Sequence, residues 1–264
     1  VLTGTYAITE TAGANTNLAD YTTTWACTEN GASYGSGSGT VLSVAVNANK
    51  AVVCTFTNTR KTGTVIITKV SNGGDGVFPF TGTGSGISPT FSITTTGGTA
   101  DRTFLNVPTG TKYVTETVPS GWDLTNIVCS DPDNGSSVSL ANKAATLDVD
   151  HNETVNCTFT NVKRGSLTIT KTVDWNGFDP DPNQTYEICV TGPSYAGCGD
   201  AGATKSFPFN GGSQTWTDLT PGVYTVTEQS PTQSQGWMIT IGNSPVTVPA
   251  GGSAGATVTN KRLQ

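Results

Sequence analysis

One stretch of this sequence occurs twice in full and once in part, and its recurrence limits the chain to a tandem array. Residues Cys157–Lys171 read CTFTNVKRGSLTITK, and Cys54–Lys69 read CTFTNTRKTGTVIITK. The first half returns near the end as ATVTNKR, at Ala256–Arg262. Each full copy ends one repeat and begins the next, with a period of about one hundred residues, which is typical of a small β-sandwich domain.

A second repeated segment supports the same period. The pattern Tyr-x-Val/Ile-Thr-Glu occurs at Tyr6–Glu10 and Tyr224–Glu228, and in a form one residue shorter at Tyr113–Glu116. The two motifs together predict three domains, at residues 1–60, 63–162 and 165–262. The first begins at the strand that lies midway through the others, so its opening strands are not in the sequence. Either this sequence is a fragment, or another chain completes that domain.

The composition favours short, half-exposed strands joined by turns. Apolar residues make up 34% of the chain and charged residues 12%, while glycine is abundant with 32 copies. Threonine fits a pleated surface and glycine supplies turns. With apolar residues alternating along the strands, we expect an all-β fold of tandem Ig-like or prealbumin-like β-sandwich domains in an extended array.

Charge, hydropathy and cysteine content exclude several classes of partner. A net charge of −6 without a basic cluster argues against nucleic acid, and no apolar run is long enough to span a membrane. Six cysteines without a C-x-x-C pattern indicate an oxidising, extracellular location rather than a zinc or haem site. Asp131–Gly135 and Asp179–Asn183 group oxygen atoms but lack calcium-loop spacing, so we expect Asx turns, no metal and no cofactor.

The cysteines occupy matched places in two repeats. Position and spacing predict the disulfides Cys27–Cys54 and Cys129–Cys157, each closing a loop worth roughly 3 kcal/mol of chain entropy. The third repeat has cysteines at neither place, and we expect Cys189–Cys198 to close a short loop of its own. Free buried thiols are the alternative for all six.

Three polar residues in each complete repeat fall on the apolar face of a strand. Because alternate residues of a strand share a face, Lys69 lies with Val65 and Ile67, and Glu116 and Asn161 are placed in the same way. The third repeat does this with Lys171, Glu228 and Asn260. An isolated buried charge costs several kcal/mol, so each lysine, glutamate and asparagine should meet.

Three interpretations of these residues are open. They could form a buried ion pair with asparagine as a hydrogen-bond partner, or the strand ends could simply leave the core. The third is chemical: a lysine amine attacks the asparagine side-chain amide, ammonia leaves and an isopeptide bond remains. Burial favours the neutral amine and the neutral carboxyl, which are the nucleophile and the proton relay that this reaction needs.

These motifs resemble the collagen-adhesin B-type and SpaA-like pilin domains of bacterial surface proteins. The likeness rests on the lysine of IITK and TITK, on YxVTE followed by Pro and Gly-Trp, and on the terminal Thr-Asn. It implies isopeptide bonds assisted by the acidic residue, and the matching positions are Lys69–Asn161 with Glu116 and Lys171–Asn260 with Glu228. In the first repeat Glu10 and Asn58 match, but Lys50 and Lys61 lie in the wrong places. The disulfides depart from the usual pattern of the family.

The predicted function is mechanical. We expect a structural subunit of an extracellular stalk, pilus or filament that associates with other copies or domains of the same protein, with subunits joined in one variant by strand donation. The alternative is an adhesin module that binds a host protein or glycan through its loops, above all the insert around Tyr186–Gly199. Apart from self-modification, no enzymatic turnover is expected.

Overall fold

Extended strands form wherever threonine, valine and isoleucine alternate, since β-branched side chains fit a pleated sheet. The computed structural model describes residues 2–264, without the side chain of Ser234; Val1, the first residue of the predicted first domain, lies outside the described residues. Within them the chain is all-β, and the only helical segments are two 3-10 turns, Leu18–Asp20 and Gln233–Gln235. The predicted all-β fold class is therefore confirmed.

The first unit, residues 2–60, contains two small sheets. One pairs β1 with β4, and the other has the order β3-β2-β5. Its strands are β1 (Gly4–Thr9), β2 (Tyr21–Glu29), β3 (Ala32–Ser38), β4 (Val41–Val46) and β5 (Val52–Arg60).

The second unit, residues 62–163, is a sandwich of a five-stranded and a four-stranded sheet. Their orders are β12-β13-β10-β7-β8 and β11-β14-β6-β9. The strands are β6 (Thr62–Asn72), β7 (Val77–Thr83), β8 (Thr90–Thr94), β9 (Thr99–Pro108), β10 (Gly110–Glu116), β11 (Trp122–Ser130), β12 (Ser137–Ser139), β13 (Ala144–Val149) and β14 (Thr154–Lys163).

The third unit, residues 165–262, repeats this arrangement with two four-stranded sheets. Their orders are β18-β15-β22-β20 and β17-β16-β19-β21. The strands are β15 (Gly165–Asp174), β16 (Thr185–Thr191), β17 (Thr204–Pro208), β18 (Gly212–Leu219), β19 (Gly222–Ser230), β20 (Trp237–Gly242), β21 (Val246–Val248) and β22 (Ser253–Arg262).

The first and last strands of each complete unit are neighbours. β6 pairs with β14, and β15 with β22, and both pairs are parallel in otherwise antiparallel sheets. In the first unit, β5 corresponds to β14 and β1 corresponds to β10, but no strand corresponds to β6, β7 or β9. Each of the two sheets of the first unit therefore has an open edge where a complete unit has further strands.

Each unit has its own core, and the cores differ in completeness. The second packs Phe78, Phe80 and Phe159, and the third packs Tyr186, Trp216 and Tyr224. The first unit has only three buried apolar residues, Cys27, Leu42 and Val44. The missing strands explain this difference, because a sheet face that lacks its opposing layer stays open to water.

The connections between units are very short. Only Lys61 separates β5 from β6, and only Arg164 separates β14 from β15. At the second junction Arg164 forms a two-pronged ion pair with Asp123, at 2.7 Å, and the Gly251 amide donates to the Lys163 carbonyl at 2.9 Å. A one-residue link held by direct contacts leaves little freedom between neighbouring units.

Candidate functional site

The second unit gathers Lys69, Glu116 and Asn161 at the centre of its core. All three are at most 1% exposed. Lys69 Nζ lies 2.8 Å from Asn161 Oδ1 and 3.8 Å from Glu116 Oε2, and Asn161 Nδ2 donates to Glu116 Oε1 at 2.6 Å. The amide therefore lies between the amine and the carboxyl, with its oxygen toward lysine and its nitrogen toward glutamate.

The third unit has the same arrangement in Lys171, Glu228 and Asn260. Lys171 Nζ lies 2.9 Å from Glu228 Oε2 and donates a very short hydrogen bond to Asn260 Oδ1. Asn260 Nδ2 donates to Glu228 Oε1 at 2.6 Å. Two units of different sequence thus bring the same three residue types together in the same order.

Strand pairing puts the three side chains within reach. Lys69 is directly opposite Phe159 on the parallel neighbour β14, so Asn161 follows two residues later on the same face. Lys171 is opposite Val258 in the same way, two residues before Asn260. The glutamates end β10 or lie near the end of β19, on the opposite sheet, and point across the sandwich.

Burial moves the pKa values of Lys69, Lys171 and Glu116 in the direction that favours their neutral forms. It lowers the pKa of Lys69 from 10.5 to about 8, although Glu116 opposes the shift, and it lowers the pKa of Lys171. It also raises the pKa of Glu116 above its usual range, against the opposing charge of Lys69. Glu116 Oε2 makes no hydrogen bond. Burial thus favours the neutral amine of Lys69 and the neutral carboxyl of Glu116.

The first unit has two of the three groups. Asn58 Nδ2 donates to Glu10 Oε1 at 2.5 Å, and Asn58 Oδ1 accepts from Thr23 Oγ1 at 2.6 Å. Glu10 Oε2 is buried without a hydrogen-bond partner. Lys50 instead pairs with Glu29 at 3.7 Å, and the Lys61 backbone joins the first two units, so neither lysine completes the set.

All six cysteines are paired. The bonds are Cys27–Cys54, Cys129–Cys157 and Cys189–Cys198. The first two join directly opposite residues of β2 with β5 and of β11 with β14. In the second unit the disulfide therefore fastens the strand that carries Asn161 to its outer neighbour.

Sequence reasoning missed several neighbours of the lysines. Lys69 Nζ lies 4.4 Å from the centre of the Phe78 ring, and Lys171 Nζ lies 4.4 Å from that of Tyr186. The repeated pattern also matched Tyr113 with Tyr224, but Tyr113 is 52% exposed. When the two copies are aligned at Glu116 and Glu228, Lys112 falls at the position of Tyr224, and both side chains are buried.

Asp131 and Asp133 do lie in a turn, and they meet a third carboxylate, Glu153. Each already accepts backbone N–H groups: Ser136 donates to Asp131 at 2.7 Å and Gly135 to Asp133 at 3.0 Å. The bond from Gly135 to Asp133 is an Asx-turn bond of the kind expected from the sequence, whereas the bond from Ser136 to Asp131 closes a longer turn. Among residues 2–264, no helix is long and apolar enough to cross a membrane.

Comparison with solved structures finds distant likenesses. The major pilin protein T3.2 from Streptococcus pyogenes has 15% identity over 76% of this chain and 98% of its own, with a TM-score of 0.31. The TIE protein of Bacillus anthracis has 14% identity over 99% of this chain and 58% of its own, with a TM-score of 0.34. The minor pilin GBS52 of Streptococcus agalactiae has 15% identity over 75% and 96%, with a TM-score of 0.28. At these identities and TM-scores the likenesses carry no information about function.

Sequence families give a firmer assignment. No curated protein matches the chain. Residues 2–60 and 65–163 each match a SpaA family described as a prealbumin-like fold domain. The two segments together cover more than half of the sequence, and the third unit repeats the sheet order and the core triad of the second. The chain therefore belongs to the SpaA-type prealbumin-like fold domains.

Proposed function

We propose that the chain is a structural subunit of an extracellular stalk, pilus or filament whose second and third units are each locked by a Lys–Asn isopeptide bond. The observation that carries the proposal is the pair of buried triads, because each places an amine against a side-chain amide and a carboxyl against the nitrogen that would leave. The three disulfides favour an extracellular location.

The chemistry balances within the triad. The neutral Lys69 nitrogen bonds to Cγ of Asn161, and the bond from Cγ to Nδ2 breaks. Glu116 gives its proton to Nδ2, which leaves as ammonia, and takes one proton from the lysine nitrogen. The carboxyl ends as it began, so each unit reacts once and no external substrate is turned over. Lys171, Glu228 and Asn260 perform the same steps in the third unit.

The position of the bond explains a mechanical role. Force enters the second unit at the start of β6 and leaves at the end of β14, and these strands are parallel neighbours. A bond from Lys69 to Asn161 joins β6 and β14 near their C-terminal ends. The force then passes from β6 to β14 through the bond. The chain segment between Lys69 and Asn161, which are 92 residues apart, carries none of it.

The test is the intact mass of the reduced protein followed by peptide mapping. We expect the loss of one ammonia for each complete unit, with Lys69 joined to Asn161 and Lys171 to Asn260. Asn161→Ala should abolish the first link. Asn156→Ala is the matched control, because this residue lies on the other face of the same strand, beside Thr68 at 3.1 Å. An unmodified mass would reduce the triads to buried ion pairs.

The adhesin alternative depends on the loop closed by Cys189–Cys198. Gly192 and Tyr195 exchange two backbone hydrogen bonds there, at 2.8 and 3.0 Å, and Tyr195 packs against the third core. A loop packed on its own domain favours a structural role. Binding on a glycan array that is lost in Tyr195→Ser would favour the adhesin, whereas filaments that form regardless of this loop would favour the stalk.

A further inference from the structure

The two complete units hold their lysine amines in different ways. In the second unit, Lys69 Nζ donates to the backbone oxygen of Phe159 at 2.9 Å, and Glu116 Oε2 lies 3.8 Å away. In the third unit the amine donates directly to the carboxylate, from Lys171 Nζ to Glu228 Oε2 at 2.9 Å. The third unit therefore has the closer ion pair.

One side chain beside the lysines differs in chemistry between the units. Phe78 and Tyr186 have the same register, since each lies two residues before the residue that pairs with the glutamate. Both are fully buried, and each ring centre lies 4.4 Å from the lysine nitrogen of its unit. The two rings that face the lysines thus differ by one hydroxyl group.

The hydroxyl of Tyr186 has no hydrogen-bond partner among residues 2–264. Buried hydroxyls are rarely left unpaired in folded proteins, so this one calls for a physical explanation. Burial raises the pKa of the Tyr186 phenol, and the charge of the nearby Glu228 adds to the shift, against the opposing charge of Arg262. The phenol therefore keeps its proton, and toward Glu228 it can act only as a donor.

The Glu228 carboxylate has room for one more donor. Each carboxylate oxygen has two lone pairs, and Glu228 accepts from Lys171 at Oε2 and from Asn260 at Oε1. A further donor favours the ionised carboxylate over the neutral carboxyl. The proton of the pair then stays on the lysine, and a protonated amine is not a nucleophile. Phe78 offers no such donor in the second unit.

We propose that Tyr186 is a positioning residue that delays the covalent locking of the third unit relative to the second. The inference rests on the isopeptide function proposed above. The phenol holds Glu228 and Lys171 as an ion pair, whereas the unit with Phe78 reaches the neutral, reactive pair more readily. The bonding steps are unchanged: the lysine nitrogen bonds to Cγ of Asn260, the bond from Cγ to Nδ2 breaks, and the carboxyl passes one proton from the amine to the departing ammonia. A newly folded chain thus has a locked second unit while its third unit can still open.

The test follows both links in the full chain, made by cell-free translation under oxidising conditions. Samples taken over time are unfolded in acid, digested and mapped by mass, which gives the linked fraction of each unit. We expect the Lys69–Asn161 link to form first. Tyr186→Phe should speed the Lys171–Asn260 link about tenfold, the size of effect expected from one hydrogen bond to a charged group, and should leave the other link unchanged.

A reciprocal variant and a matched control accompany this substitution. Phe78→Tyr introduces the hydroxyl into the second unit and should slow its link by a similar factor. Tyr224→Phe removes another buried hydroxyl from the third core, one that donates to the Thr220 backbone oxygen at 2.8 Å, and should not speed the link of that unit. Loss of packing alone would slow a link, so the gain in rate expected of Tyr186→Phe separates an effect on protonation from a structural one.

The pH profile gives a second readout that packing alone would not move. The charged groups that face the phenol in the described chain are Lys171, Glu228 and Arg262. Because the phenol favours the ionised carboxylate, the acidic limb of the rate profile should move to higher pH in Tyr186→Phe. An unchanged or slower third link in that variant would overturn the role of Tyr186 and leave the proposed function standing. Absence of both links from every protein would instead contradict the proposed function, and this inference with it.

Discussion

Replacing Glu116 with glutamine should turn a cross-linked second unit into one that can be pulled open. Glutamine matches the size of glutamate and can still accept a hydrogen bond from Asn161. It cannot take a proton from the amine and return it to the leaving nitrogen, so we expect Lys69 and Asn161 to remain unlinked. The chain between these two residues then lies in the path of an applied force.

The length released follows from the positions of the bonds. Lys69 and Asn161 are 92 residues apart, which corresponds to about 320 Å of chain at about 3.5 Å per residue. The disulfide Cys129–Cys157 closes 28 of these residues, so about 220 Å is released while it is intact and about 100 Å more after its reduction. When Lys69 and Asn161 are linked, this segment carries no force and adds no length to the extended chain.

Single-molecule force spectroscopy on the chain, held at both ends, distinguishes these cases. Glu116→Gln should add a step of about 220 Å under oxidising conditions and about 320 Å with a reductant. The first unit has no lysine at this place, so it extends in both proteins and provides the reference event. A step of this size in the unmodified protein would refute the link in the second unit. Its absence in the variant would refute the role of Glu116.

Three further predictions concern protonation, the disulfides and the junction. Burial brings the pKa of Lys69 to about 8, and the reaction needs one proton on the Lys69–Glu116 pair. The rate of link formation in freshly refolded protein, measured by mass, should therefore fall above that pH. A rate that keeps rising there would contradict the proton relay. Replacing both Cys129 and Cys157 by alanine in an unlinked background should cost about 3.5 kcal/mol in denaturant unfolding, from the loop that they close, and an unchanged midpoint would contradict it. Gly251→Ala should increase bending in small-angle scattering, since a Cβ there would collide with the backbone oxygen of Gly73 in the second unit, whereas Gly255→Ala, which meets only ordinary contacts, should not. Equal profiles would show that this contact does not hold the junction.

The sequence was sufficient to predict the features that follow from the two-residue period of a strand. The placement of Lys69 and Asn161 on a buried face followed from alternation alone, because a strand exposes every second side chain to the same surroundings. Glu116 followed for the same reason. These predictions needed only the residues adjacent along one strand.

Contacts between strands far apart in sequence could not be predicted in this way. Phe78 and Tyr186 face the two lysines across the sandwich, but the loops before and after their strands differ in length, so no local pattern relates them to the triads. Lys112 was missed because one residue is lacking in the second copy, which shifted a tyrosine outward. Glu153 meets Asp131 only through the pairing of the strands that precede and follow the turns.

The energetics of burial explain why a folded unit of this kind would favour the covalent product. An ion pair enclosed in a core loses solvation that its Coulomb attraction only partly repays. The depressed pKa of Lys69 and the raised pKa of Glu116 are the signs of that cost. Conversion of the amine to an amide removes the lysine charge for good and leaves a neutral carboxyl beside a neutral bond. Packing that brings Lys69, Glu116 and Asn161 together at the expense of their charges would therefore favour the covalent product.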